Sequence, residues 1–74
     1  MNNTLTLNRD IYDIYSINNA IRAYTNFAEV KCSETNEYWI CTFKNCRYDA
    51  SLTMMEFENY LIGILNRRLY NAAL

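Results

Sequence analysis

The side chains best suited to chemistry in this sequence are the thiols of Cys32, Cys41 and Cys46. The sequence contains no histidine, which excludes Ser-His and Cys-His nucleophilic systems and histidine metal sites. The cysteine spacing forms no C-x-x-C motif and offers too few ligands for an iron–sulfur cluster. An odd number of cysteines favours reduced cytosolic thiols over a disulfide scaffold. A Cys32–Cys41 disulfide is the geometric alternative.

The carboxylates form no pair that predicts acid–base catalysis. They are scattered along the chain, at Asp10, Asp13, Asp49, Glu56 and Glu58 among other positions. The single glycine excludes a phosphate-binding loop. The sequence therefore predicts no catalytic residue, no cofactor and no metal site, and we expect a protein that is not an enzyme.

Length and composition predict one small folded domain over residues 1–74. The 51% hydrophobic content and the absence of proline argue against disorder. A net charge of −1 argues against a nucleic-acid partner. Neither a leader peptide nor an apolar run of about 20 residues is present, so we expect a soluble, cytoplasmic protein without a membrane segment.

Residues 38–44 (YWICTFK) are the most apolar strand candidate and predict the central strand of a sheet. Alternation places Trp39, Cys41 and Phe43 toward the core. Tyr38, Ile40 and Thr42 then lie on the outward face, which is either solvated or docked against a partner.

Residues 28–34 also alternate and predict a strand paired with the central one. A loop of only two residues places Cys32 directly opposite Cys41, with both inward sets on one side. The same register places Glu29 opposite Lys44, a favourable cross-strand pair. Pattern and charge thus predict the same hairpin.

The N-terminal half predicts one short strand and one helix. Residues 4–7 alternate, with their two leucines pointing inward. Residues 11–15 fit either an extension of this strand or a loop. Ser16 is the predicted N-cap of a helix over residues 17–27, where apolar side chains recur at helical spacing.

The C-terminal third predicts a long helix over residues 53–72. Thr53 and Glu56 fit a capping box, and Leu52 and Phe57 fit the accompanying hydrophobic staple. The predicted core stripe contains Met54, Phe57, Leu61, Ile64 and Leu65.

These elements predict an α+β fold of order β-α-β-β-α, a split β-α-β or half-ferredoxin-like arrangement. The central strand is flanked by the first and second strands, which makes a three-stranded sheet. Both helices are expected on one face of that sheet.

The long helix carries apolar side chains beside its core stripe. Met55, Ile62 and Leu69 recur every seven residues. We interpret them either as a wide core stripe or as a contact surface for another protein. Gly63, in the same helix, marks either a close backbone approach or a tolerated glycine.

The first strand offers a second candidate surface. It is short and lies at the predicted edge of the sheet, so the outer backbone groups around Leu5 and Thr6 lack partners and form a template for an added strand. Seven tyrosines in the chain also favour contact surfaces. These features predict binding of another polypeptide.

Two segments carry a family resemblance. Residues 9–12 (RDIY) precede the first helix, and residues 56–61 (EFENYL) precede Arg67 and Arg68. With the element order, this pattern resembles the small His-Xaa-Ser system proteins called HxsD over nearly the whole chain. The resemblance implies an accessory protein that accompanies a radical SAM enzyme modifying a ribosomally made peptide. It implies no functional residue by position.

The sequence thus supports three hypotheses. The first is a cytoplasmic accessory protein that binds a radical SAM peptide-maturation enzyme, its precursor peptide, or both. The second is a homodimeric structural or regulatory protein. The third, a small enzyme or nucleic-acid binder, is disfavoured by the missing histidine and the missing basic surplus. Neighbouring genes separate the first from the others.

Overall fold

The computed structural model of the chain describes residues 3–73, with side chains described for residues 3–67. Five elements follow one another: β1 (Thr4–Asn8), α1 (Ile14–Ala23), β2 (Glu29–Glu34), β3 (Tyr38–Lys44) and α2 (Ala50–Ala73). The strands form one antiparallel sheet of order β1-β3-β2. The predicted α+β class, the element order and the central position of the most apolar strand are all confirmed.

The predicted hairpin register is also confirmed. Cys32 lies opposite Cys41, and Glu29 lies opposite Lys44. The Thr35 amide donates to the Tyr38 carbonyl at 2.8 Å, which closes the two-residue loop between the strands. Register follows the inward residues because a slip by one position would turn every core side chain toward solvent.

One hydrophobic core lies between the helices and one face of the sheet. Both helices supply buried side chains to it, together with the inward residues of the strands. The buried members are Leu7, Ile17, Ala20, Ala28, Cys41, Phe43, Phe57 and Leu61. Phe43 and Phe57 meet edge to face, with ring centroids 5.1 Å apart. The fold therefore consists of one sheet layer and one helix layer.

Helix α1 begins earlier and ends earlier than the sequence predicts. Its N-cap is Asp13, whose carboxylate accepts hydrogen bonds from the Ser16 amide at 3.0 Å and the Ser16 hydroxyl at 2.7 Å. Ser16, the predicted cap, instead lies buried in the first turn. Residues 11–15 are thus a turn, a loop and the start of α1. The helix ends at Ala23, and the following residues 24–27 form turns.

Helix α2 begins at Ala50, so the predicted capping box at Thr53 is wrong. The Asp49 carboxylate accepts the Leu52 amide at 2.9 Å, which is the bond that an N-cap side chain makes. Thr53 is buried, and its hydroxyl donates to the Asp49 carbonyl at 2.9 Å. Leu52 is 45% exposed and takes no part in a buried staple.

Trp39 connects the loop after β1 to the sheet. Its indole Nε1 donates to the Tyr12 carbonyl at 2.8 Å, and the Arg9 guanidinium lies 4.7 Å from the ring centroid. Arg9 also donates to the Thr35 carbonyl at 2.6 Å and pairs with Glu34 at 3.3 Å. Trp39 is partly buried and packs against the core, on the predicted inward side.

Candidate functional site

The outer edge of β1 presents backbone amides and carbonyls that do not bond to β3. The Phe43 amide donates to the Asn3 carbonyl at 2.8 Å, and the Arg9 amide donates to the Glu37 carbonyl at 3.0 Å. These bonds fix the alternation of an antiparallel pair, in which every second residue turns its backbone toward the partner strand. Odd-numbered residues of β1 therefore bond to β3, whereas Thr4, Thr6 and Asn8 turn their amides and carbonyls outward.

The two edge residues predicted from the sequence take different roles. Thr6 is exposed, and both its amide and its carbonyl point away from β3. Leu5 packs its side chain against the core, and its backbone groups bond to β3. Leu5 therefore contributes no backbone group to the outer edge. The Asn8 carbonyl accepts hydrogen bonds from the amides of Ile11 and Tyr12 at 3.2 and 3.0 Å. Thr4 and Thr6 therefore form the centre of the edge.

The two edges of the sheet differ in charge. β2, at the opposite edge, carries Glu29, Lys31 and Glu34. Charged side chains are a common protection of edge strands against pairing with another chain. β1 has the sequence TLTLN, without a charge or a proline. Within residues 3–73 no strand pairs with the outer side of β1, so the unprotected edge is the one that resembles a docking template.

The outward face of the sheet presents the three residues predicted there. Tyr38 is 41% exposed, and Ile40 and Thr42 are half-buried. The register places Ile40 between Thr6 and Ser33, both polar and exposed. The face is therefore a mixture of polar and apolar side chains rather than a continuous apolar patch, which favours the solvated alternative.

The flank of α2 is exposed at the two positions whose side chains are described. Met55 is 56% and Ile62 is 40% exposed, so neither belongs to a widened core stripe. The side chain of Leu69 lies outside the described residues. Tyr60, on the same helix, packs against the core with its ring centroid 5.8 Å from that of Tyr24.

A groove between the end of α1 and the start of α2 was not predicted from the sequence. It has a volume of about 400 Å³ and is lined by Tyr24, Phe27, Tyr48, Leu52, Thr53 and Glu56. Sequence patterns assigned Phe27 to a helix stripe, Leu52 to a staple and Glu56 to a capping box. The aromatic residues around the helix boundaries were the available signal, but only the fold brings the three segments together.

The thiols are free, and burial makes two of them poor nucleophiles. Burial, with smaller effects from the neighbouring Cys32 thiol, raises the pKa of Cys41 to about 12. Burial also raises the pKa of Cys32, partly offset by its hydrogen bond to Cys41. A catalytic thiol needs a lowered pKa, whereas the pKa values of Cys32 and Cys41 are both raised.

Residues 3–67 bring together no cluster of three or more side chains able to ligate a metal. Among the described helices none has the combined length and apolar character needed to cross a bilayer.

Comparisons with family models, with curated proteins and with solved structures gave no match.

Proposed function

We propose that this protein is a polypeptide-binding module that adds an extended segment of its partner to the outer edge of β1. The observation that carries the proposal is the outward direction of the Thr4 and Thr6 backbone groups on an uncharged edge strand. Main-chain hydrogen bonds supply affinity in this mode of recognition. In a complete ferredoxin-like fold a fourth strand occupies the position beside β1, so an edge of this kind can accept another strand.

The resemblance to HxsD proteins supplies the candidate partner. We propose a radical SAM peptide-maturation enzyme, its precursor peptide, or both, with this chain acting as a non-catalytic accessory protein. The same proposal places it in the cytoplasm, where free thiols such as Cys32 and Cys41 persist. A radical SAM gene beside the gene for this protein supports that partner, and its absence overturns it.

A proline at Thr6 tests the edge. Proline has no amide hydrogen, and edge strands tolerate it where the amide faces outward. Thr6→Pro should therefore leave the β1–β3 pairing intact yet weaken binding of the enzyme or precursor peptide by at least about tenfold, since a ladder bond is lost and the ring obstructs pairing. The measurement is isothermal titration calorimetry.

Thr6→Val is the matched control because it keeps the amide and a β-branched side chain. It should bind as the unaltered protein does. Circular dichroism of both variants checks the fold. A folded Thr6→Pro variant with unchanged affinity would contradict binding at this edge.

A second candidate function is a homodimeric structural or regulatory protein. The observation that favours it is the exposure of Met55 and Ile62 two helical turns apart on α2. The apolar flanks of two copies can pack together across a two-fold axis, because the same surface of each copy then contacts the other.

A further inference from the structure

The groove between the two helices has a preformed wall. After α1 ends, the Phe27 amide donates to the Tyr24 carbonyl at 2.9 Å. The Arg47 amide donates to the Phe27 carbonyl at 2.7 Å, which fixes the connector after β3 onto this turn. The adjacent Tyr48 is thereby held beside Phe27, with ring centroids 6.2 Å apart. Main-chain hydrogen bonds and a ring contact therefore hold this wall of the groove in place.

Aromatic residues make up three of the six lining residues of the groove. Tyr24 and Phe27 have ring centroids 5.7 Å apart at an interplanar angle of 60°. Phe27 is 39% and Tyr48 is 59% exposed, so their rings are accessible to a ligand. The face of an aromatic ring carries negative potential and attracts a cation within about 6 Å of its centroid.

Glu56 supplies the only charged side chain of the lining. Its carboxylate makes no hydrogen bond or ion pair within residues 3–67. Burial, followed by the charges of Glu56 and Tyr60, raises the pKa of Tyr24. The carboxylate of Glu56 thus interacts electrostatically with Tyr24, which also lines the groove. Its negative charge complements a positive ligand.

We propose that this groove binds the guanidinium group of an arginine side chain on a polypeptide partner. A planar guanidinium stacks on aromatic faces and pairs with a carboxylate through two hydrogen bonds, whereas an ammonium does not. The molecule contains an example of the first contact, because the guanidinium of Arg47 lies 5.8 Å from the centroid of the Tyr48 ring. Arg47 is not part of the groove lining.

This site is separate from the β1 edge in its residues and its chemistry, so the two proposals succeed or fail independently. The β1 edge would bind the main chain of a partner whatever its sequence, whereas the groove would recognise an arginine side chain. A partner that uses both sites would pair the backbone of one segment with β1 and place an arginine of another segment between the helices.

The test uses the whole chain and two blocked pentapeptides, Gly-Gly-Arg-Gly-Gly and the same peptide with citrulline in place of arginine. Citrulline has nearly the shape of arginine and no charge. Two-dimensional NMR of the ¹⁵N-labelled protein follows each titration into the millimolar range. We expect saturable shifts at the amides of the groove residues with the arginine peptide, and an affinity at least about tenfold lower for the citrulline peptide.

Two variants locate the interaction. Glu56→Gln should weaken binding of the arginine peptide at least about fivefold, and Tyr48→Leu should weaken it comparably through loss of a ring. Glu37→Gln removes the same charge from the hairpin loop and should leave the affinity unchanged. The proposal is overturned if citrulline binds equally well, if the shifts lie elsewhere, or if Glu56→Gln has no more effect than Glu37→Gln.

Discussion

At the scale of single residues, the three thiols differ sharply in their surroundings. Cys41 is fully buried with a pKa of about 12, Cys32 is half-buried with a raised pKa, and Cys46 is also half-buried but lies in the connector after β3. Because the thiolate is the species that reacts, alkylation by iodoacetamide at pH 8 should follow the order Cys46, Cys32, Cys41. Peptide mass spectrometry at successive times measures this order.

Unfolding in guanidinium chloride provides the control, since all three thiols should then react at similar rates. The alkylation rate of Cys41 in the native protein should stay low from pH 7 to pH 9, because burial keeps its thiol protonated through that range. Native labelling of Cys41 as fast as Cys46 would contradict the observed orientation of β3.

Residue patterns predicted the strands more accurately than the helix starts. Alternation in residues 28–34 and 38–44 leaves one register that buries both inward sets, and the structure has that register. A helix start has several chemically equivalent candidates, since Ser, Thr and Asp all accept an amide hydrogen bond. Asp13 and Asp49 cap the two helices, one turn before the predicted Ser16 and Thr53.

At the scale of elements, the structure decides between the two interpretations of Gly63. A methyl group added at this position would meet no described atom within 4 Å beyond its chain neighbours and the backbone of its own helix. The glycine is therefore tolerated in α2 rather than required by a neighbouring backbone. Gly63→Ala should stabilise the protein by about 1 kcal/mol, because alanine loses less backbone entropy in a helix.

Thermal unfolding followed by circular dichroism measures this gain, expected as a rise in Tm of about 4–8 °C for a domain of this size. Gly63→Ser is the matched control, and its intermediate helix propensity should give about half the gain. A lower Tm for Gly63→Ala would reveal a close approach at this position.

At the scale of the whole molecule, the strand order was predictable and the groove was not. The most apolar segment had to be central because a central strand is covered along both edges and packs on the core. The groove combines Tyr24, Phe27, Tyr48 and Leu52 from three separate segments, and its shape depends on where α1 ends. The sequence predicted a longer α1, which would have placed Phe27 in the helix.

The dimensions of the molecule bear on self-association. α2 has 24 residues, about 36 Å at 1.5 Å per residue. β3 has seven residues, about 23 Å of strand. α2 is thus longer than the central strand, and Met55 and Ile62 are exposed on the flank of α2 beside the buried Phe57 and Leu61. A second copy of the chain is one partner that would remove this apolar flank from water.

Replacing Met55 and Ile62 together by glutamate tests whether such a dimer forms. Both side chains are exposed and glutamate is a good helix former, so the variant should keep its fold by circular dichroism. If α2 packs against α2 of a second copy, four carboxylates must enter the interface, and the dimer should dissociate at least about tenfold more readily in sedimentation equilibrium. Asn18→Glu with Asn19→Glu adds the same charge to exposed positions of α1 and should leave association unchanged. An unaltered protein that stays monomeric at high concentration would remove the homodimer and leave the β1 edge and the groove between the helices as the proposed surfaces for partners.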